Sequence, residues 1–195
     1  MGDPRKPKKK YNRPAHPWQA VRLEEEAKLV KEYALKNKKE IWKSASVVKR
    51  FKSKAKQLIA STRPQAKKEE KDILDRLVKL KLLPKDSKIE DVLDIPITTV
   101  FERRLQTQVY KKGLARTPAQ ARQMITHRHV TVKGIAVNIP SYIVTAEDEP
   151  FIQFSSTSPF KNEEHPERAI KKEEVPEIKT EIKKEETSEK VDDTK

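Results

Sequence analysis

The residues best suited to chemistry are two histidines separated by one residue, His127 and His129. An imidazole nitrogen can ligate a metal ion, but a zinc site needs a further imidazole, carboxylate or thiolate at suitable spacing, and the sequence offers none. We therefore interpret the pair as structural or phosphate-contacting. The chain has no cysteine, which excludes disulfides, thiol nucleophiles and Cys-ligated metal sites. No metal or other cofactor is expected.

Catalytic motifs are missing as well. The sequence has no HExxH pair, no Walker loop around phosphate and no nucleophile elbow. Its only glycines are Gly2, Gly113 and Gly134, so it has no glycine-rich cofactor loop. The sequence predicts a binding protein and not an enzyme.

Cationic side chains surround the two histidines at points where secondary-structure elements are predicted to meet. They lie at helix starts, at a helix end and at a hairpin turn, and they are Arg116, Arg122, Arg128 and Lys133. The free N–H groups of the helix that begins after Thr117 add an anion-binding site. This layout favours recognition of an RNA backbone by shape and charge, more than by reading bases.

The first helix that must position these groups is predicted to start at Thr99, which forms a capping-box pair with Glu102. Its buried stripe is Phe101, Leu105 and Val109, which are spaced at i, i+4 and i+8. Pro96 separates this helix from the chain before it.

Local signals mark the end of this helix and the start of the next. Lys111 and Lys112 suit the last turn of a helix dipole, and Gly113 can take the left-handed conformation that ends the helix. Thr117 is the predicted N-cap of the second helix, with Gln120 as its reciprocal cap. This second helix is predicted to run to about residue 126.

Short strands follow the second helix. The predicted strands are residues 130–132, 136–139, 143–145 and 151–154, with a turn at Lys133-Gly134. Two helices on a small twisted sheet give an α+β module, which we place at residues 99–154. We call it the RNA-binding module.

The region before the module is predicted to be a basic arm, residues 1–18, followed by a helical lobe, residues 19–98. Tyr11 and Trp18 give the arm flat surfaces that can stack on bases, although Trp18 is equally able to pack on the next helix. Helices are predicted at residues 19–35, 41–60 and 65–83, with Pro64 ending the second. A capping-box pair, Ser87 with Glu90, opens a fourth, short helix.

The helix predicted at residues 41–60 has an apolar face opposite a cationic one. The cations are Lys43, Lys49, Arg50, Lys52, Lys54 and Lys56, and no acidic residue lies among them. A face that served only solubility would carry interspersed glutamates, so we interpret this one as facing phosphates. Binding to a membrane surface is the weaker alternative.

Composition sets limits on the rest of the chain. Hydrophobic residues make up 34% of the 195 residues, and the net charge is +14, which favours a polyanionic partner. No apolar run is long enough to span a bilayer, and no secretory signal is evident, so a cytosolic location is expected. Residues 155–195 carry 9 Lys and Arg against 12 Asp and Glu, a net of −3, and are predicted to be a disordered tail.

The module resembles the S4 domain, an RNA-binding domain named after the fourth protein of the small ribosomal subunit. The matching residues include Arg104-Leu105, Gly113-Leu114-Ala115, Ala121-Arg122-Gln123, His129-Val130 and Pro140-Ser141-Tyr142. With the arm and the helical lobe included, residues 8–154 resemble the archaeal members of that ribosomal protein family.

The resemblance implies a protein that binds small-subunit (16S-type) ribosomal RNA early in assembly, as two lobes that clasp an RNA junction. It also implies neighbouring ribosomal proteins, a position near the channel through which messenger RNA enters, and a role in translational accuracy. No membrane contact and no homo-oligomer are expected. The side chains assigned to ribosomal RNA are Lys8, Lys9, Lys10, Tyr11, Arg13, Trp18, Lys49, Arg50, Lys52, Lys54, Arg103, Arg104, Lys111, Lys112, Arg116, Thr117, Gln120, Arg122, Gln123, His127, Arg128, His129 and Lys133.

The chain departs from the family pattern in three places. Arg128 stands where the family often has glycine, so this turn needs another way to relieve its strain. Glu147-Asp148 replaces a Gly-Asp pair, which bears on the geometry of the last turn. The zinc-binding cysteines of some bacterial relatives are missing.

Two other functions fit an RNA-binding module of this kind. The module could be the targeting part of an RNA-modifying enzyme such as a pseudouridine synthase, but that would need a catalytic domain larger than the remaining residues provide. It could also belong to a free-standing factor that acts on stalled ribosomes. Such a factor would not need the long basic helical lobe, which favours the ribosomal protein.

Overall fold

A computed structural model describes residues 9, 11–61, 63–162 and 165–166. The helical lobe consists of α1 (Ala20–Glu32), α2 (Lys38–Ile59) and α3 (Pro64–Lys79), followed by a 3₁₀ turn at Glu90–Asp94. The three predicted helices are confirmed, with ends shifted by a few residues. Lys8, Lys10 and residues 163–164 and 167–195 of the predicted tail lie outside the described residues. The prediction of disorder from residue 155 on is wrong for residues 155–162, because Ser158 is 6% exposed and Phe160 packs against the core of the module.

The core of the helical lobe lies where α2 and α3 meet the 3₁₀ turn. Its most buried side chains, Ala55, Leu77 and Val92, are all 0% exposed. Pro64 is the first residue of α3, where its missing N–H is harmless. Pro64 therefore begins α3, whereas the sequence prediction placed it at the end of the helix at residues 41–60.

The residues of α1 at apolar helical spacing, Leu23, Ala27 and Val30, do not by themselves form its buried face. Leu23 and Val30 are half-buried and Ala27 is exposed, whereas Glu26 is 5% exposed. Arg22 and the Trp42 indole donate hydrogen bonds to Glu26 at 2.6 and 3.0 Å. Spacing alone cannot reveal this, because the buried carboxylate depends on partners from another helix.

The capping box predicted at Ser87 does not form. The Ser87 hydroxyl donates to the Pro84 carbonyl at 2.9 Å, and the Asp91 carboxylate instead accepts from the Lys88 N–H at 2.8 Å. The capping residue, Asp91, therefore lies inside the turn and not before it. The short helix predicted here is the 3₁₀ turn at Glu90–Asp94.

The single helix predicted from Thr99 is in fact two, α4 (Ile97–Glu102) and α5 (Leu105–Lys111). Thr99 makes no cap, since α4 begins two residues earlier, after Pro96. The break follows from hydrogen bonds to a distant segment. The Leu105 N–H donates to the Tyr142 carbonyl at 2.7 Å, and the Val144 N–H donates to the Arg103 carbonyl at 2.9 Å.

The join between α5 and α6 (Pro118–Thr126) agrees with the sequence prediction. Gly113 has φ +72, and its N–H and that of Leu114 donate to carbonyls of the last turn of α5. The Thr117 hydroxyl accepts from the Gln120 N–H at 3.2 Å. The Gln120 side chain, predicted to cap Thr117, accepts instead from the Arg116 N–H at 2.7 Å.

The sheet has three antiparallel strands in the order β2-β1-β3, with β1 at Val130–Val132, β2 at Ile135–Ala136 and β3 at Ile152–Phe154. Lys133 and Gly134 form the turn with φ +51 and +79, the tight-turn geometry of a hairpin. The predicted return strand is therefore only two residues long. The strand predicted at residues 143–145 is reduced to one bridge, Ile143 with Arg104.

The helices α5 and α6 pack on one face of this sheet, which confirms the α+β architecture. The core of the module consists of Leu105, Val109, Ala115, Ala121, Met124, Ile125, Val130, Val132, Val144 and Ile152. Phe101, predicted on the same stripe as Leu105, is fully buried but packs against Tyr33 of the helical lobe at 5.2 Å between ring centroids. Of the helices described here, none is long and apolar enough to cross a membrane.

Candidate nucleic-acid interface

The cationic face of α2 is the largest basic surface that the sequence predicts, and the structure leaves it open. Lys43, Lys49, Arg50, Lys54 and Lys56 are exposed, and Lys52 is half-buried. The only acidic residue of α2 is Glu40, at its start. The opposite face of α2 enters the core through Val48 and Ala55, so packing fixes the direction in which the cations point.

The basic arm runs beside α2. Tyr11 stacks against Trp42, with 6.3 Å between the ring centroids, and the Asn12 N–H donates to the Ser46 hydroxyl at 3.1 Å. Lys9 and Arg13 are exposed, so the arm adds charge to the α2 face. Trp18 is 89% exposed, which excludes the alternative in which it packs on α1.

The cations around α5 and α6 have partners within the chain. Lys111 lies 3.5 Å from the Glu102 carboxylate, Lys112 donates to the Glu149 carbonyl and Arg116 donates to the Pro166 carbonyl. All three cationic side chains are exposed. An exposed ion pair such as Lys111–Glu102 contributes at most about 1 kcal/mol, so a phosphate can replace it.

The two histidines differ in their surroundings. His127 is exposed, whereas His129 is half-buried, with its Nδ1 3.1 Å from the Ser158 hydroxyl and its ring edge-on to Phe160. Burial, and to a lesser extent His127, lowers the pKa of His129. Among the described residues no group of three or more His, Asp or Glu could hold a metal ion.

Arg128, between these histidines, ends α6 in the left-handed conformation with φ +62. Its N–H donates to the Ile125 carbonyl, and the His129 N–H donates to the Met124 carbonyl, both at 3.0 Å. Arg128 therefore has the strained, positive φ that is expected where glycine is missing. The two hydrogen bonds at the end of α6 stabilise this conformation. The Arg128 side chain is exposed.

Arg103 and Arg104 are buried, although the sequence prediction assigned them to RNA. They are 7% and 4% exposed. Arg103 pairs with Glu149 at 3.0 Å, and Arg104 pairs with Glu40 at 2.5 Å. Both carboxylates lie far away in sequence, at separations of 46 and 64 residues, so the local pattern of charge could not reveal the pairing.

Glu40 is the centre of a partly buried polar network between the two lobes. It accepts from Arg104 of the module and from Arg122 of α6, the latter at 2.7 Å. Arg122 also reaches the side-chain oxygen of Gln106 at 3.3 Å. Gln106 is 1% exposed, and its amide donates to the Tyr33 carbonyl of the helical lobe at 3.0 Å. We call Glu40, Arg104, Gln106 and Arg122 the interlobe seam.

The electrostatics of the seam favour an ionised Glu40. Burial on its own would raise the pKa of Glu40, but hydrogen bonds from Arg122 and Arg104 outweigh it and lower the pKa. Neither Glu40 nor Gln106 was assigned a function from the sequence. The signals that could have found them are a lone acid at the start of a basic helix, and an amide directly after Leu105 of the buried stripe.

Lys133, which was also assigned to RNA, pairs with Asp148 at 2.5 Å. Asp148 accepts from the Tyr142 hydroxyl at 3.1 Å and from the Lys133 ammonium, and the Lys133 hydrogen bond is the main cause that lowers the pKa of Asp148. The Thr145 hydroxyl accepts from the Asp148 N–H. The Asp148 side chain thus stabilises the turn at Glu147-Asp148 through these contacts. Neither residue of this turn needs a positive φ.

A cleft of about 310 Å³ opens beside the seam. It is lined by Lys43 and Ser44 of α2, by Arg104 and Arg122, and by Ser141. Lys43 is the first cation of the α2 face, so the cleft connects that face with Arg122 of α6. A polyanion that follows α2 can therefore continue onto the module.

Comparison with known proteins agrees with a surface that binds RNA. Residues 103–150 match the S4 domain family. The chain is 46% identical over 160 residues to small ribosomal subunit protein uS4 of Ignicoccus hospitalis, which covers 82% of this chain and 96% of that protein. It is 45% identical to the proteins of the same name from Methanococcoides burtonii, over 86% of this chain and 94% of that protein, and from Methanothermobacter thermautotrophicus, over 84% and 95%. The chain belongs to the small ribosomal subunit protein uS4 family.

Proposed function

We propose that this protein holds small-subunit ribosomal RNA in one folded geometry by gripping its sugar–phosphate backbone with two lobes. As a member of its family, the chain is a structural, RNA-binding component of the small ribosomal subunit in the cytoplasm, and it acts in translation without being an enzyme. Its mechanism is electrostatic, because lysine and arginine release counterions when they neutralise phosphates.

The exposed cationic face of α2 is the observation that carries this proposal. Six cations without an intervening acid repel one another, and a surface that faced only water would gain nothing from that repulsion. A phosphate backbone along the helix relieves it. The arm, with Tyr11 held against Trp42, extends the same surface.

The proposed contact surface is narrower than the one predicted from sequence. It keeps the arm, the α2 face and the exposed groups at the ends of α5 and α6. It leaves out Arg103 and Arg104, because their burial and their ion pairs with Glu149 and Glu40 leave them little surface for RNA. Arg122 keeps 24% of its side-chain surface exposed, so it is shared between the seam and the RNA.

The finer parts of the proposal are supported by membership of the family rather than by any contact described above. The chain binds its RNA early in assembly, beside other small-subunit proteins and near the channel through which messenger RNA enters, and it contributes to translational accuracy there. We propose that it does so as a single copy.

The proposal is tested by measuring the affinity of the full chain for a small-subunit ribosomal RNA fragment over a range of salt concentrations. Replacing one phosphate-binding cation lowers the slope of log K against log salt by about one. We expect this loss for Arg50→Gln and a smaller one for Arg122→Gln, whose charge Glu40 already neutralises in part.

The matched control is Lys85→Gln, an exposed lysine between α3 and the 3₁₀ turn. It should leave the slope unchanged. If Arg50→Gln also leaves it unchanged, the α2 face does not bind phosphate and the proposed interface is wrong. Equal affinity for anionic vesicles and for folded RNA would refute the RNA function itself.

A further inference from the structure

The six cations of α2 lie in two rows along the helix. Spacings of i, i+3 and i+7 place one set on a common stripe, Lys49, Lys52 and Lys56. Spacings of i, i+7 and i+11 place the other set on a second stripe, Lys43, Arg50 and Lys54. We call the first set the groove row and the second set the outer row, because the structure gives them different surroundings.

The groove row lines an open cleft of about 620 Å³ that also has apolar walls. Val48 and Ile95 line this cleft and are almost fully buried, and Pro96 lines it and is exposed. Lys52 is half-buried there, as expected for a lysine whose stem covers apolar surface. Of the described residues that line this cleft, none is acidic. The cleft therefore combines positive charge with apolar surface.

A second cleft, of about 320 Å³, adjoins the first one and lies between the arm, α1 and α2. The residues that line both clefts are Ala45, Lys49 and Ile97. Trp42 lines the second cleft, and its indole N–H donates to Glu26 at 3.0 Å, which fixes the ring. Both volumes fall within the range of roughly 300–1,000 Å³ that is usual for ligand sites. We call the two clefts together the α2 groove.

The apolar walls of the α2 groove are of no use to a paired RNA strand. Such a strand presents phosphates and sugars to a protein, while its bases are stacked inside the double helix. Unpaired bases expose flat apolar faces, and proteins bind them in positively charged grooves that also contain aromatic or apolar side chains. The α2 groove therefore fits unpaired RNA, whereas the outer row fits the backbone of a paired strand.

We propose that the α2 groove binds two neighbouring unpaired nucleotides of the ribosomal RNA, with one base in each cleft and the phosphate between them on Lys49. Lys49 is exposed on the border that the two clefts share. Trp42 contacts the base in the second cleft, and Lys52 and Lys56 bind the phosphates on the side of the first. The inference deepens the proposed function and rests on it, because it assigns unpaired nucleotides to one row of α2 and the paired backbone to the other.

Photocrosslinking of the full chain to a small-subunit ribosomal RNA fragment tests which nucleotides lie at each row. A photoreactive phenylalanine analogue replaces Ser53, an exposed residue that lines the first cleft, and in a parallel sample it replaces Arg50 of the outer row. Sequencing locates each crosslink, and acylation of the ribose hydroxyls in the free RNA shows which nucleotides are unpaired. The Ser53 position should crosslink to unpaired nucleotides and the Arg50 position to paired ones.

Affinity measurements then separate contacts to bases from contacts to phosphates. Abasic nucleotides, which keep every phosphate, replace the nucleotides that the Ser53 position reaches. The affinity of the wild-type chain should fall about tenfold for each base removed, which is the size of one base-stacking contact. The slope of log K against log salt should stay the same, because no phosphate contact is lost.

The substitution Ala45→Leu is the matching change in the protein. Ala45 is half-buried on the shared border of the two clefts, and leucine occupies the space of the bases without adding charge or breaking the helix. The variant should lose about tenfold in affinity for the unmodified RNA and bind the abasic RNA as the wild type does. The matched control is Ala27→Leu, at an exposed alanine of α1, which should behave as wild type with both RNAs.

Four outcomes would overturn the inference. They are Ser53 crosslinks to paired nucleotides only, no Ser53 crosslink to RNA, a Ser53 crosslink to another protein in assembled small subunits, and equal affinity of the wild-type chain for unmodified and abasic RNA. The last comparison needs no protein variant, so it holds whatever the denaturation midpoint of Ala45→Leu. The proposed function fails separately, when Arg50→Gln leaves the salt slope unchanged.

Discussion

The substitution Glu40→Gln tests the interlobe seam most directly. Glu40 neutralises two arginines, and Arg104, only 4% exposed, has no other acidic partner among the described residues. The Nε and Nη1 atoms of Arg104 are already buried without hydrogen-bond partners there. Loss of the carboxylate charge leaves this guanidinium in the interior without compensation.

The size of the effect follows from the burial of the partners. Breaking a buried ion pair costs about 3–5 kcal/mol. The side chains of Glu40 and Arg122 keep 17% and 24% exposure, so water replaces part of the lost interaction and the lower end, about 3 kcal/mol, applies. For an ordered region of this size that corresponds to a fall in melting temperature of about 6–12 °C.

The effect should also depend on pH. Since the arginines lower the folded-state pKa of Glu40 below its ordinary value of 4.5, its ionisation stabilises the folded chain above that value. The contribution disappears as the pH falls through the lowered folded-state pKa. Wild type and Glu40→Gln should therefore differ at neutral pH and converge in acid.

The assay is urea denaturation of the full chain at several pH values. The matched control is Glu24→Gln, an exposed glutamate on α1, which should change the free energy of unfolding by less than about 0.5 kcal/mol. The triple variant Glu40→Met, Arg104→Met and Arg122→Met should recover most of the stability, because apolar replacement of a whole buried ionic group is often neutral. A Glu40→Gln variant as stable as wild type would refute the account of the seam.

Three further substitutions test other features. Arg128→Gly should stabilise the chain by about 1 kcal/mol in thermal denaturation, because glycine has no penalty at φ +62; a destabilised variant would show that the side chain does more than end α6. Gln106→Leu should lose about 2 kcal/mol despite its hydrophobicity, since the Tyr33 carbonyl would lose its donor; an unchanged urea midpoint would contradict this. Asp148→Asn should lose about 1 kcal/mol at pH 7 and less below pH 4, because its carboxylate pKa is lowered in the fold; parallel pH profiles would contradict it.

Features that depend on neighbouring residues could be predicted from the sequence. Gly113 ends α5 and Thr117 caps α6 because each acts on backbone groups within three or four residues. The turn at Lys133-Gly134 is equally local. The α2 face was predictable because helical periodicity alone separates its cations from Val48 and Ala55.

Features that depend on distant segments could not. The break between α4 and α5 exists because the Tyr142 carbonyl accepts a backbone hydrogen bond there and the Val144 N–H donates one. Nothing in residues 99–112 predicts these partners. Two adjacent arginines such as Arg103 and Arg104 are typical of a phosphate-binding site. Only tertiary pairing with Glu149 and Glu40 shows that they stabilise the interior instead.

The seam also restricts how such a chain can diverge. A single replacement at Glu40 leaves Arg104 and Arg122 with excess charge inside the protein, so substitutions at these positions must compensate one another. The exposed cations of α2 face no such restriction, because lysine and arginine there can be exchanged one at a time. In this ribosomal protein the charges of the seam should therefore change more slowly than the exposed cations of α2.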